Sequence, residues 1–192
     1  MTAAGGEPSR GKARLFVALD LPNDIRQALE DWQRRELGAL PELRAVAPEA
    51  LHLTLCFLGW RDLADAGRIG ELTLGAAKTV HDLALGEPTW LPRRVPRVLA
   101  IEVEDAGGRC SRLQGAVADA LVTGGFYERE TRLFLPHVTV GRVRRGRASR
   151  GLRDRVPSPA PLRFDGAAVT LYRSRPTTRR ATYEPLARAV LA

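Results

Sequence analysis

Apolar residues recur along this chain in two periods, and the switches between them mark its elements. Leu15-Phe16-Val17-Ala18-Leu19 is a continuous apolar run ending at Asp20-Leu21-Pro22, the pattern of a buried strand that feeds a helix with proline in its first turn. Ile25, Ala28, Leu29, Trp32 and Leu37 then share a helical face, with Arg26, Glu30, Arg34 and Arg35 mostly off it, and Gly38 closes the helix. Residues 51–58 read as a second strand. Asp62 is placed to cap a second helix carrying Leu63, Ala66, Ile69, Thr73 and Ala77 on one side.

A proline-rich segment over residues 87–96 precedes an apolar strand over 98–103, and Leu113, Ala116, Val117, Ala120 and Leu121 repeat at helical spacing up to Gly124-Gly125. The remainder reads mainly as strands, over 131–135, 137–143, 162–172 and 181–186, with a loop over 144–161. Strands and helices mix without strict alternation. This predicts an α+β fold with antiparallel or mixed sheets rather than a doubly wound parallel sheet, and no glycine-rich phosphate loop is present. Residues 1–12, rich in Gly, Ala, Pro and Ser, read as a flexible N-terminal tail, leaving residues 13–192 as one domain.

Two of the three histidines interrupt apolar runs in the same way: Leu51-His52-Leu53-Thr54-Leu55 and Pro136-His137-Val138-Thr139-Val140. With 12 Thr in 192 residues, two such pairs arise by chance about once in a hundred. Side chains i and i+2 share one face of a strand, so each motif presents one imidazole and one hydroxyl together. On the first strand Leu51, Leu53, Leu55 and Phe57 are expected to cover a core, leaving His52, Thr54 and Cys56 on the second face. Opening a cyclic phosphate needs a base on the water side and an acid at the departing oxygen, and two imidazoles supply both. Hydroxyls of Thr54 and Thr139 suit the developing charge on the phosphoryl oxygens. Core histidines in strands where Thr reflects β-propensity are the competing reading, and it is the better one for either motif alone.

Composition narrows the partners. A formal charge of +8 favours polyanions, although nearly all of it is Arg, which genomic base composition alone can produce. Cys56 and Cys110 fit no metal spacing, and neither motif has a carboxylate or thiol at ligand spacing, so no metal and no cofactor is expected. No stretch approaches the roughly 20 apolar residues of a membrane span, and residues 1–11 lack the apolar core of a signal peptide, so a cytoplasmic location is expected.

At these motifs the sequence resembles the 2H phosphoesterase superfamily, in its RNA 2',3'-cyclic phosphodiesterase, or 2'-5' RNA ligase-like, branch. Arg14-Leu15-Phe16-Val17-Ala18-Leu19, residues 51–59, residues 135–142 and Val169-Thr170-Leu171-Tyr172-Arg173-Ser174 carry the resemblance, in order, from about Arg14 to Leu186. It implies a two-lobed, pseudo-symmetric fold around a central cleft, without metal or cofactor. It further implies hydrolysis of 2',3'-cyclic phosphate ends of RNA or oligonucleotides, tRNA fragments among them, to 2'-phosphates by a monomer, with reversible 2'-5' joining beside it. By the same resemblance His52 is the proton donor, His137 the proton acceptor, and Thr54, Thr139 and Arg142 hold the phosphate. Residues 177–181 depart from the glycine-rich turn of many relatives. Two rivals remain at this level: a non-catalytic RNA-binding module, and a cyclic phosphodiesterase for a small nucleotide. Arg144, Arg145, Arg147, Arg150, Arg153 and Arg155 form a basic run suited to an RNA backbone, and Phe16, Trp60 and Tyr183 are aromatic candidates for base stacking.

Overall fold

The computed structural model describes residues 11–147, 151–176 and 181–191. Its elements are β1 (Lys12–Asp20), α1 (Asn23–Trp32), β2 (Leu43–Ala45), β3 (His52–Asp62), α2 (Ala66–Gly75), β4 (Leu83–Leu91), β5 (Val98–Glu104), α3 (Arg109–Thr123), β6 (His137–Val143), β7 (Arg163–Phe164), β8 (Ala168–Pro176) and β9 (Ala181–Val190). All pairings among them are antiparallel, in the order β7-β4-β5-β6-β3-β1-β8-β9, with β2 added along β6. The expected α+β class holds, and the two lobes are two halves of one sheet. Each half has four strands along that order, with its motif strand innermost, and β2 is a fifth in the β6 half.

The halves meet through one pairing, Leu53 of β3 with Val138 of β6. Both side chains are fully buried, as alternation requires of the residue between His and Thr. Beyond this point the strands part, and β2 takes the place beside β6, pairing Leu43, Ala45 and Arg44 with Val143, Gly141 and Arg142. Gln33, in a π-helical turn that extends α1, is buried and donates to the carbonyls of Val140 and Val46, tying β6 to the chain leaving β2. Truncating Leu53 to Ala removes packing where β3 and β6 pair. The expected loss is about 2–5 kcal/mol of unfolding free energy, read from denaturant melts.

Several elements match the pattern in the sequence. Ile25, Leu29 and Trp32 of α1 are buried, and Trp32 Nε1 also donates to the Pro157 carbonyl at 3.2 Å, anchoring the long loop after β6. α3 buries Leu113, Val117 and Leu121 and ends at Gly124-Gly125, where Gly125 takes the left-handed φ of +78° that favours glycine.

Others differ. The proline-rich segment over 87–96 is not a connector throughout, because β4 runs through Pro88; that residue, which has no N–H to offer a ladder, sits where the β4–β5 register shifts. Residues 131–135 form no strand: they enter none of the described ladders, and Leu133 is 97% exposed. The expected strand over 162–172 splits into β7 and the start of β8, and short β2 went unforeseen because three residues carry no period. Ahead of α2 stands a 3₁₀ turn, Leu63–Asp65, and Asp62 makes no side-chain cap bond. Strand β1 begins at Lys12; residues 1–10 of the expected tail, and 177–180 of the departing segment, lie outside the described residues.

Candidate active site

Where β3 and β6 part, a cleft of about 430 Å³ opens, lined by His52, Thr54, Thr139 and Arg142 together with Arg14, Phe16, Arg44, Phe57, Ser174 and Tyr183. Four of the five residues expected at the site line it. The fifth, His137, opens β6 at the margin of the cleft and is only partly buried. Carrying the antiparallel register one residue either side of Leu53 and Val138 sets His52 beside Thr139 and Thr54 beside His137, all four on the face opposite the core. The histidines thus come from neighbouring strands rather than from facing walls.

Each imidazole is held in the same local way. Nδ1 of His52 donates to the Ala50 carbonyl at 2.8 Å, and Nδ1 of His137 to the Leu135 carbonyl at 2.7 Å, in both cases two residues upstream. With Nδ1–H spent on a carbonyl, Nε2 is the nitrogen left for chemistry. In His52 it lies 3.1 Å from Thr54 Oγ1, which donates to it when the ring is neutral.

Phe16 stacks on the His52 ring with centroids 4.9 Å apart, and Tyr183 meets it edge-on at 5.2 Å. This apolar packing makes the imidazolium costly. Burial is the main cause that pushes His52 down to about 4, helped by Arg142 and His137 and opposed by the Ala50 carbonyl and by Asp20. The ring is therefore neutral at neutral pH in the empty cleft.

Alternation along β3 fails after Thr54, which corrects the expectation for Cys56 and Phe57. Val17 pairs with Cys56 and Ala18 with Thr54, so Leu55 is an extra residue in the strand. That bulge inverts the parity: Cys56 turns into the core at 1% exposure, and Phe57 joins the cleft face at 43%, with the Arg14 guanidinium 4.7 Å above its ring. Burial pushes both the Cys56 and Cys110 thiols up to about 12, as inert core residues.

Other expectations separate in the same way. Of the aromatic candidates, Phe16 and Tyr183 line the cleft, Phe16 as support for His52, whereas Trp60 does not. None of the described members of the basic run lines it either. Arg144 Nε is tied to the Leu43 carbonyl and Arg153 Nη2 to that of Arg93, and Arg150 lies outside the described residues. Among the described residues the cations lining the cleft are Arg14, Arg44 and Arg142, from three strands distant in sequence. Sequence reading missed Arg14, Arg44 and Phe57. For Arg14 a signal existed, since it shares the parity of Phe16 on β1. His81 sits apart, paired with Asp165 at 3.0 Å on the surface. Among the described residues no three His, Cys, Asp or Glu side chains gather as a metal site would require, and no helix is long and apolar enough to cross a membrane.

A single antiparallel sheet with a His-x-Thr strand innermost in each half defines the class of two-histidine phosphoesterases. The chain belongs to the 2'-5' RNA ligase superfamily, whose model matches residues 21–178. It is 34% identical to an RNA 2',3'-cyclic phosphodiesterase of Archaeoglobus fulgidus over 145 residues, covering 69% of this chain and 73% of the relative. With the enzyme of that name from Methanocaldococcus jannaschii it is 27% identical over 175 residues, covering 89% and 96%. Among solved structures, Escherichia coli LigT in apo form superposes with a TM-score of 0.76 at 27% identity, covering 94% of this chain and 98% of that one; its complex with 3'-AMP gives 0.75 at 26%, with the same coverage. The resemblance drawn from the motifs is borne out, and the chain is an enzyme, a phosphodiesterase of this family. The non-catalytic binding module falls with that finding.

Proposed function

We propose that this enzyme hydrolyses 2',3'-cyclic phosphate ends of RNA to 2'-phosphates, with His52 and His137 as its acid and base. The reading rests on one observation above the others: two His-x-Thr strands meet at Leu53 and Val138, and each imidazole has its Nδ1 anchored so that Nε2 is the nitrogen left for chemistry. Relatives named RNA 2',3'-cyclic phosphodiesterase, and the capture of 3'-AMP by LigT, support the substrate class.

In this reading water attacks phosphorus in line with the departing 3'-oxygen. His137 Nε2 accepts the proton of the attacking water as its oxygen bonds to phosphorus, and His52 Nε2 delivers a proton to the 3'-oxygen as the P–O3' bond breaks. Thr54, Thr139 and Arg142 face the non-bridging oxygens, where negative charge grows in the transition state. His52 starts neutral, so it takes its proton up with the substrate: an anion placed against Nε2 offsets the cost of burying the imidazolium. The same steps with a 5'-hydroxyl of a second strand in place of water form a P–O5' bond as the P–O3' bond breaks and join ends through a 2'-5' linkage; their reversal restores the cyclic phosphate.

The test is incubation of an oligonucleotide bearing a 2',3'-cyclic phosphate with the enzyme in excess EDTA. Accumulation of the 2'-phosphate is expected at an undiminished rate. Absence of product, or dependence on added divalent metal, removes the proposal. A nucleoside 2',3'-cyclic phosphate assayed beside it ranks the small-nucleotide alternative directly, by kcat/KM.

A further inference from the structure

The proton transfers just described leave unused a carboxylate built into the wall behind His52. Asp20, the last residue of β1, is 5% exposed and stands directly across from His52 in the β1–β3 pairing, so both side chains leave the sheet on one face. Three donors converge on it from β8 and β9. Thr170 Oγ1 reaches Oδ2 at 2.9 Å, Tyr172 Oη reaches Oδ1 at 2.9 Å, and Arg188 Nε reaches Oδ2 at 3.1 Å. Tyr172 also extends the assembly toward the imidazole: it stacks on Phe16 at 5.3 Å, and its ring lies 6.3 Å from that of His52.

A carboxylate is kept charged in such a place only by partners, and the partners here are unequal. Thr170 and Tyr172 are neutral, and burial together with Asp20 pushes the Tyr172 hydroxyl up to about 12, so it stays a donor. The cation in contact among the described residues, Arg188, has a side chain 46% exposed, and solvent screens it. Asp20, beside His52 in the β1–β3 register, therefore acts on the imidazole through its charge and favours a proton there.

Around these two groups the other charges are few. From α1, Arg26 sends Nη2 to the Leu21 carbonyl, and from β6, Arg142 and His137 oppose a proton on His52. We propose that Asp20 is a positioning residue that holds His52 ready to be protonated, and that Arg188 acts against it as a solvent-side counter-cation. With an anionic phosphate in the cleft, the imidazole lies between two negative groups, and the imidazolium becomes the favoured form. The kinetic side of this inference rests on the proposed role of His52; the electrostatic side does not.

The two partners predict shifts of opposite sign, which a purely structural role does not. The measurement is an NMR titration of the His52 ring nitrogens, in the empty protein and with saturating sulfate as the probe anion. Asp20→Asn lowers the His52 midpoint in the sulfate complex by about one pH unit, and Arg188→Gln raises it. The limb of the kcat profile that needs protonated His52 follows the same order, with KM little changed. Equal midpoints in the folded variants, or shifts of the same sign, overturn the inference. If Asp20→Asn does not fold, Arg188→Gln decides alone, since it removes a half-exposed group; an unmoved midpoint there is sufficient to reject it. Should the wild type leave cyclic phosphates intact, the proposed function fails while the NMR midpoints still judge Asp20.

Discussion

Alanine at His52 or at His137 lowers kcat on a cyclic-phosphate oligonucleotide by about 10²–10⁴-fold each, the usual worth of a positioned proton donor or acceptor. The double variant falls little further than the worse single one, because the two rings act on one transition state. Both rings sit on the cleft face, and the buried packing at the hinge comes from Leu53 and Val138 instead. Circular dichroism is therefore expected to stay close to wild type for both, with a modest fall in the melt of His52→Ala, which loses a ring packed on Phe16 and Tyr183. A variant that keeps full activity dismisses its histidine from the chemistry. One that loses activity only together with its fold assigns the histidine to packing, as the competing reading of the sequence has it.

The second large effect is a proton taken up with the anion. Burial holds His52 at about 4 in the empty cleft, so above that pH a negatively charged ligand binds a neutral ring and must draw a proton to it. The sign follows from the direction of the change: the ligand raises the pKa, so the complex binds more protons than the free protein between the two values. Affinity is greatest near the lower value and weakens by up to tenfold per pH unit as pH rises toward the upper one. Sulfate is the suitable probe, since its charge is constant over this range. Calorimetry in buffers of different ionisation enthalpy should find uptake approaching one proton, and His52→Ala should abolish it. Uptake that persists in that variant assigns the proton to another group.

The local parts of the site were legible in the sequence because a strand's side-chain alternation is local. His-x-Thr within an apolar run means one imidazole and one hydroxyl on one face, and the structure keeps both pairs that way. The Nδ1 anchors are local too, since each carbonyl lies two residues before its histidine. Alternation failed where pairing added a residue. The bulge at Leu55 is set by the register with β1, which residues 51–58 alone do not encode, and it exchanged the places of Cys56 and Phe57. The strand expected over 131–135 failed for a related reason: β-propensity without a partner strand makes no ladder. The basic run gave the opposite lesson. Six arginines close in sequence suit an RNA backbone, yet among the described residues the cleft's arginines come one each from β1, β2 and β6.

By itself the sequence determined the α+β class, the family and the two His-x-Thr strands, because hydrophobic period and short motifs are properties of neighbouring residues. Tertiary structure decided which groups share the cleft. It joined the two halves at Leu53 and Val138, brought Arg44 beside Arg142, and set Asp20 behind His52 under donors from Thr170, Tyr172 and Arg188. These contacts span up to 168 positions of chain. Antiparallel register fixes them, and register is settled only when the whole sheet buries its apolar face.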